Sequence, residues 1–130
     1  MNTLKRWLPA AVLMAAIFGF SSIPSRDMPG FGMLDYLVKK GGHALGYALL
    51  ALAYLRGLGG KRYRLAWLMA LLFSATDEFH QSFVPGRHPS LVDVLVFDNL
   101  GALAGLAAFN IFTKWKQKGD APASPSTNNQ

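Results

Sequence analysis

The hydrophobic residues of this chain are gathered into four segments, with most of the polar residues between them or at their ends. The segments cover about residues 7–23, 43–58, 65–84 and 91–112. A helix needs about 20 apolar residues to cross the hydrocarbon core of a bilayer, and the first and fourth segments approach that length. The second segment is shorter, and the third is apolar only in its first half. The pattern predicts an all-α fold, a four-helix transmembrane bundle with short loops.

The regions outside the segments predict the domain organisation. Residues 24–42 contain two prolines and four glycines, so we expect an irregular loop there. Residues 1–112 are predicted to form one transmembrane domain. Residues 113–130 carry spaced lysines followed by Ala, Pro, Ser, Thr and Asn. Such a composition cannot bury a core, and it predicts a disordered cytoplasmic tail.

The composition agrees with a membrane protein. Apolar residue types make up 52% of the 130 residues and charged types 15%, whereas an average soluble domain has about 25% charged residues. A soluble domain of this size needs many charges to cover its surface, so an ordinary cytosolic domain is excluded. The absence of cysteine excludes a disulfide scaffold, a zinc ribbon and a thiol nucleophile.

The positive charges predict the orientation, because lysine and arginine favour the cytoplasmic side of a membrane. One side would hold Lys5, Arg6, Arg56, Lys61, Arg62, Arg64, Lys114, Lys116 and Lys118. The other would hold Arg26, Lys39, Lys40 and Arg87. We therefore expect both termini in the cytoplasm of a multi-pass protein of the plasma (inner) membrane. The net charge of +6 is then a topology signal, and no nucleic-acid partner is expected.

The first segment has a second interpretation as a secretory signal peptide. Lys5 and Arg6 precede a short apolar run that ends in small residues near Ser21. Bulky Phe18 and Phe20 crowd the cleavage site, which favours a retained first span.

Polar residues collect at the predicted outer end of the bundle, where every acidic residue except Asp120 falls. Three sets of residues repeat with helical spacing and share a face: Ser74, Asp77, Glu78 and Gln81; His43, Tyr47, Leu50 and Tyr54; Asp98, Ala102 and Gly105. Charged groups face lipid only at high cost, so these faces are expected to turn inward. Together they predict an outward-opening polar pocket.

Each pocket residue has a functional and a structural interpretation. Glu78 and Gln81 either handle a ligand or join helices by hydrogen bonds. His43, at the predicted outer end of its segment, is either a base or an interface or capping residue. A type II turn at Pro85-Gly86 would aim Arg87 over the pocket, towards Glu78, Asp93 or a bound anion. The G-x-x-x-G at Gly101 and Gly105 predicts close helix packing, and Tyr47 and Tyr54 are interpreted as packing residues.

The sequence gives little support for a metal or cofactor site. Asp77-x-x-His80, with His43, Glu78 and Asp93 nearby, is the best arrangement for a metal ion, but H-E-x-x-H and phosphate-loop motifs are missing from the sequence. We expect neither a metal nor a cofactor. Paired carboxylates near an arginine are suited to acid–base catalysis on a phosphate or ester. Their spacing alone leaves open whether the protein is an enzyme.

Several motifs resemble the VanZ-like family of bacterial membrane proteins. The run TDEFHQSFVPGR, residues 76–87, is the most specific of them. The weaker motifs come in the family's order: Ser21-Ser22-x-Pro24, Lys40-x-x-His43-x-x-x-Tyr47-x-x-Leu50, and Asp93 followed by Asp98-x-x-Gly101-x-x-x-Gly105. The resemblance covers about residues 18–110.

The resemblance implies a plasma-membrane protein of the cell envelope, associated with resistance to the glycopeptide teicoplanin, and it implies no known reaction. The motif residues carried over are His43, Glu78, Gln81, Arg87, Asp93 and Asp98. The family's two polar positions in the last span are usually about four apart, whereas Asp93 and Asp98 are five apart. One extra residue rotates a helix by about 100°, so Asp98 or Asn99 fills the deeper position.

Two functions follow from these residues. The first is a site for a lipid-linked anionic envelope molecule. Arg87 with Lys40 would hold its phosphate or carboxylate, Glu78 and His43 are the candidate acid–base groups, and the remaining members of the site are Gln81, Asp93 and Asp98. The second is a non-enzymatic scaffold or interaction subunit, whose polar cluster only holds the helices together. A membrane lipid and a second copy of the chain are the expected partners.

Overall fold

The computed structural model describes residues 1–122, and this range contains four α-helices and no strand. The helices are α1 (Thr3–Ser21), α2 (Asp35–Gly57), α3 (Tyr63–Gln81) and α4 (Asn99–Gly119). A segment of π-helical geometry, Asp93–Asp98, leads directly into α4. The predicted all-α class is confirmed.

The second helix begins earlier than the sequence pattern predicts. α2 starts at Asp35, so the expectation of an irregular loop up to residue 42 is wrong. Asp35 lies in the first turn, where a carboxylate favours the helix dipole, and it pairs with Lys39 one turn later at 2.7 Å. The helix has 23 residues, which corresponds to a length of about 34 Å. It is therefore as long as a membrane span requires, although its apolar segment is short.

α2 is the central helix and packs against the other three. Its predicted inward face is confirmed, since Tyr47, Leu50 and Tyr54 are buried. α4 crosses it closely at two glycines, because a Cβ atom on Gly101 would lie 2.1 Å from the carbonyl oxygen of Ala44. The predicted role of the G-x-x-x-G in helix packing is therefore confirmed.

The two ends of the bundle differ in charge, because nearly all the carboxylates lie at one of them. At one end the Arg6 guanidinium donates a hydrogen bond of 2.9 Å to the carbonyl oxygen of Gly57, which joins the start of α1 to the end of α2. Gly59 and Gly60 follow with positive φ angles of 84° and 78°, and they end α2. At the other end lie the last turns of α1 and α3 and the π-helical segment, which carry the polar cluster described below.

The outer surface of the bundle is strongly apolar. Large hydrophobic side chains are exposed on every helix, among them Leu8, Val12, Leu45, Leu72, Leu103 and Ile111. Soluble monomers rarely expose apolar surface on this scale. Two helical stretches are long and apolar enough to cross a membrane, α1 and the combined helix Asp93–Gly119. These features are typical of a membrane protein.

Two predicted boundaries shift at the C-terminal ends of helices. α3 ends at Gln81, three residues before the predicted end of the third segment. α4 continues to Gly119, so residues 113–119, which the sequence assigns to a disordered tail, are helical. Residues 123–130 of that predicted tail lie outside the described residues.

Candidate functional site

The inward face of α3 carries four polar side chains, and all four are buried. They are Ser74, Asp77, Glu78 and Gln81. The helical spacing of these residues predicts one shared face that turns inward, and the burial of all four side chains confirms it.

Asp77 joins α3 to α1. Its Oδ2 accepts a hydrogen bond of 2.6 Å from Ser21 Oγ and one of 3.2 Å from Gln81 Nε2. Asp77 is 2% exposed, and its Oδ1 has no hydrogen-bond partner within the described chain. Sequence reasoning placed Asp77 on the face that forms the pocket, but it assigned neither Asp77 nor Ser21 a role in the site. Asp77 shared its face with Glu78, which was the available signal, whereas nothing in the helical spacing tied Ser21 to α3.

Asp98 joins α4 to α2 and α3. Its Oδ2 accepts a hydrogen bond of 2.5 Å from Ser74 Oγ, and its Oδ1 lies 3.2 Å from His43 Nδ1. His43 lies eight residues after the start of α2, or about 12 Å along its axis. The expectation that this histidine caps the outer end of its helix is therefore wrong, because the helix begins at Asp35.

The π-helical segment decides which residue fills the deeper polar position. Its wider turn, with i→i+5 hydrogen bonds, absorbs the extra residue between Asp93 and Asp98, so both carboxylates are buried in the bundle. The Asn99 side chain lies outside the cluster, and its Oδ1 accepts a hydrogen bond of 2.7 Å from Trp67 Nε1. Asp98, rather than Asn99, is the member of the cluster.

Asp93 pairs with Lys40, whose Nζ donates to both carboxylate oxygens. The ammonium group also lies 5.7 Å and 5.6 Å from the ring centroids of Tyr36 and Phe97. The sequence predicts Lys40 as a ligand for an anion, together with Arg87. In the structure its charge is already balanced by Asp93, so the two cations do not act as a pair.

Glu78 anchors the chain that follows α3. Its Oε1 accepts a hydrogen bond from the backbone N–H of Ser90, and its Oε2 lies 3.5 Å from Gln81 Nε2. The carboxylate thereby holds the connection between α3 and the π-helical segment against the bundle. Within residues 1–122 no cation forms an ion pair with Glu78.

Arg87 does not pair with Glu78 or Asp93, so those predicted partners are wrong. Its Nε donates to the carbonyl oxygen of Ile23 at 3.1 Å, and its Nη2 donates to that of Phe20 at 2.9 Å. The last carbonyls of a helix lack intrahelical N–H partners, and a cation near them is favourable. The preceding Gly86 has a φ of 75°, as a type II turn requires.

The arrangement suggested for a metal ion does not form. His80 faces away from the carboxylates, because its Nε2 lies 2.9 Å from Ser22 Oγ and its ring stacks on Phe18. Within residues 1–122, no three His, Asp or Glu residues are placed to hold a metal ion.

A cavity of about 500 Å³ lies between α1 and α2 and reaches the polar cluster. Most of its lining is apolar. Its polar lining residues are Ser21, Lys39, His43, Tyr47 and Arg87. Tyr47 is 1% exposed, and its hydroxyl has no hydrogen-bond partner within residues 1–122. The cavity therefore combines a hydrocarbon-like wall with a polar end, next to buried carboxylates.

An apolar exterior, helices long enough to cross a bilayer and a buried polar network at one end are the features of a membrane protein rather than of a soluble helical domain. The family model described as VanZ/LLP1 matches residues 6–113, and the chain belongs to this family. The resemblance seen in the sequence motifs is thereby confirmed. The comparisons with curated proteins and with solved structures give no match.

Proposed function

We propose that this VanZ-family protein crosses the bacterial plasma membrane four times and binds a lipid-linked anionic molecule of the cell envelope. In this proposal both termini are cytoplasmic, and the polar cluster faces outward. Association with teicoplanin resistance is part of the proposal, since an envelope precursor is the natural point of contact with a glycopeptide.

The observation that carries the proposal is the place of Arg87. This residue lines the cavity between α1 and α2, and within residues 1–122 no carboxylate balances its charge. Two carbonyl oxygens use two of its donor groups, whereas a guanidinium has five N–H donors. A phosphate or carboxylate beside it would gain charge-assisted hydrogen bonds. The volume of the cavity is within the range of about 300–1,000 Å³ that is usual for small-molecule sites.

Of the two candidate acid–base groups, His43 lines the same cavity as Arg87, and Glu78 is buried beside it in the polar cluster. His43 lines the cavity, and Asp98 holds its Nδ1, which leaves Nε2 as the nitrogen for a ligand. A carboxylate that orients an imidazole in this way is a common arrangement in acid–base catalysis. Glu78 is oriented by the Ser90 N–H and has no cationic partner in the described chain. We propose His43 and Glu78 as the groups that exchange protons with the ligand.

A scaffold is the second candidate function, and the hydrogen-bond network favours it. Ser21–Asp77 joins α1 to α3, and His43–Asp98–Ser74 joins α2, α4 and α3. A network of this kind would stabilise the bundle without any ligand. The two functions differ in what they require of Glu78, since a purely structural role needs its hydrogen bond and not its charge.

The test is the Glu78→Gln variant in a glycopeptide-sensitive, single-membrane bacterium, at the membrane abundance of the wild type. Glutamine keeps an oxygen that accepts the Ser90 N–H, and it removes the charge and the titration. Asp27→Asn is the matched control, because Asp27 is exposed in the loop after α1. The measurement is the lowest inhibitory concentration of teicoplanin.

We expect wild type and Asp27→Asn to protect the cells, and Glu78→Gln to leave them as sensitive as cells without the protein. Equal protection by Glu78→Gln would reject the ligand chemistry in favour of the scaffold. If the wild type gives no protection, the resistance part of the proposal fails.

A further inference from the structure

The cavity between α1 and α2 is longer than an anionic headgroup needs. Along α2 its lining runs from Val38 to Leu49, a rise of about 16 Å. Away from the polar cluster its walls are made by aliphatic residues of both helices: Leu13, Ala16, Ile17, Leu45 and Leu49. A polar metabolite would leave this part of the cavity unfilled.

Glycine creates this space. A Cβ atom on Gly42 would meet nothing within 4 Å, and one on Gly46 would meet only Ile17 Cγ1 at 4.0 Å. Both glycines line the cavity, and both lie inside α2, where glycine costs about 1 kcal/mol relative to alanine. The helix thus carries residues that weaken it at the positions where a side chain would enter the cavity.

The cavity also changes in polarity along its length. At its outer end lie the side chains of Arg87, His43 and Ser21. A guanidinium forms charge-assisted hydrogen bonds with a phosphate or carboxylate, so an anionic group is favoured at this end. The ligand that fits such a cavity has an anionic head joined to a hydrocarbon chain.

The wall of the cavity faces the surface that would meet lipid. Leu45 and Leu49 are 62% and 44% exposed, and each lines the cavity as well. A hydrocarbon chain between α1 and α2 would therefore stay in contact with the hydrocarbon of the bilayer. It would not need to pass through water to enter.

We propose that the cavity between α1 and α2 is the binding site for the hydrocarbon chain of a lipid phosphate, which enters sideways from the membrane and places its phosphate at Arg87. This inference rests on the proposed function, because it assigns the lipid portion of the same ligand. Gly42 and Gly46 keep the site open, and the ends of α1 and α3 hold the head of the ligand.

The test uses a polyprenyl phosphate with a photoreactive diazirine in its chain, added to vesicles that contain the full-length protein. Cross-linked peptides are identified by mass spectrometry. Gly46→Leu fills the cavity from α2, and Ala16→Leu fills it from α1. Gly41→Leu is the matched control, since Gly41 lies on the same helix, does not line the cavity and has open space around it.

We expect cross-links at residues 13–17 and 45–49 of the wild-type protein. Each filling variant should reduce them by about tenfold or more, because the added leucine occupies the space of the hydrocarbon chain; tenfold corresponds to about 1.4 kcal/mol. Gly41→Leu should not reduce them. A thermal unfolding midpoint like that of the Gly41→Leu variant identifies filling variants that are folded. If either folded filling variant labels like the wild type, the chain does not occupy the cavity.

Two further samples separate this inference from the proposed function. Phosphatidylcholine with the same diazirine chain should label these residues weakly, and labelling as strong as that by the phosphate probe would mean ordinary lipid contact, which would overturn the inference. Arg87→Gln should lower labelling by the phosphate. If the filling variants abolish labelling and Arg87→Gln does not, the chain site stands and the anion site fails. If only Arg87→Gln abolishes labelling, the anion site stands and the chain site fails.

Discussion

At the scale of single residues, the cluster is organised by carboxylates that each meet a different kind of partner. Asp93 binds an ammonium group, Asp98 binds an imidazole and a hydroxyl, and Asp77 binds a hydroxyl and an amide. Glu78 binds a backbone N–H. Each side chain therefore has its own contribution to stability. The cost of removing it depends on the charge and burial of the partner that remains.

Asp98 and its neighbour Asn99 give a direct test of this view. Asp98→Ala leaves Ser74 and His43 without their acceptor inside the bundle, so we expect a loss of about 3 kcal/mol in the free energy of unfolding. Asn99→Ala removes one neutral hydrogen bond from Trp67 and should cost about 1 kcal/mol. Equilibrium unfolding in mixed detergent micelles measures both. A greater loss for Asn99→Ala would mean that Asn99, and not Asp98, is the residue that stabilises the cluster.

At the scale of elements, the π-helical segment accommodates the spacing of five residues between Asp93 and Asp98. A π turn arises when a helix accommodates one additional residue, and such turns are frequent at functional sites. Here the additional residue lets Asp93 reach Lys40 while Asp98 still reaches His43. The spacing of five along the sequence therefore produces the same inward face as a regular helical turn.

Deleting one residue from this segment should convert it to regular α-helix. Leu95 is exposed, and its removal shortens the spacing of the two carboxylates to four. We expect the Leu95 deletion to fold, as judged by a single symmetric peak in size-exclusion chromatography in detergent. The matched deletion of Leu103, which is also exposed, rotates Gly105 and Leu106 away from α2 and should aggregate. Equal damage by both deletions would show that the π turn is not a tolerated insertion.

The helical repeat of residue types predicted some elements well, because the burial of one helical face determines which residue types repeat. The face of α3 through Ser74 and Gln81 was predictable for this reason. The start of α2 was not, because residues 35–42 contain lysines and glycines and look like a loop unless the ion pair of Asp35 with Lys39 is known. The partners of Arg87 were also out of reach, since they are main-chain carbonyls more than 60 residues away in sequence.

At the scale of the whole molecule, charge and packing agree on two distinct ends. Arg6, the end of α2 and the start of α3 lie at one end, and the carboxylate cluster lies at the other. The four apolar segments and the distribution of lysine and arginine between them together predicted this division. What they could not predict is which polar residues touch, because that depends on contacts between helices far apart in sequence, such as Ser21 with Asp77.

The orientation of the molecule is testable because the chain contains no cysteine, so single cysteines can be introduced without background. His88→Cys places a thiol in the exposed turn after α3, and Lys61→Cys places one in the exposed loop between α2 and α3. A membrane-impermeant maleimide should label His88→Cys in intact cells and Lys61→Cys only after the cells are opened, because lysine- and arginine-rich loops stay in the cytoplasm. The reverse pattern would put the polar cluster on the cytoplasmic side, where it could not meet an envelope molecule outside the membrane. Labelling of both thiols in intact cells would mean that α3 does not cross the bilayer, and the four-span topology would then fail.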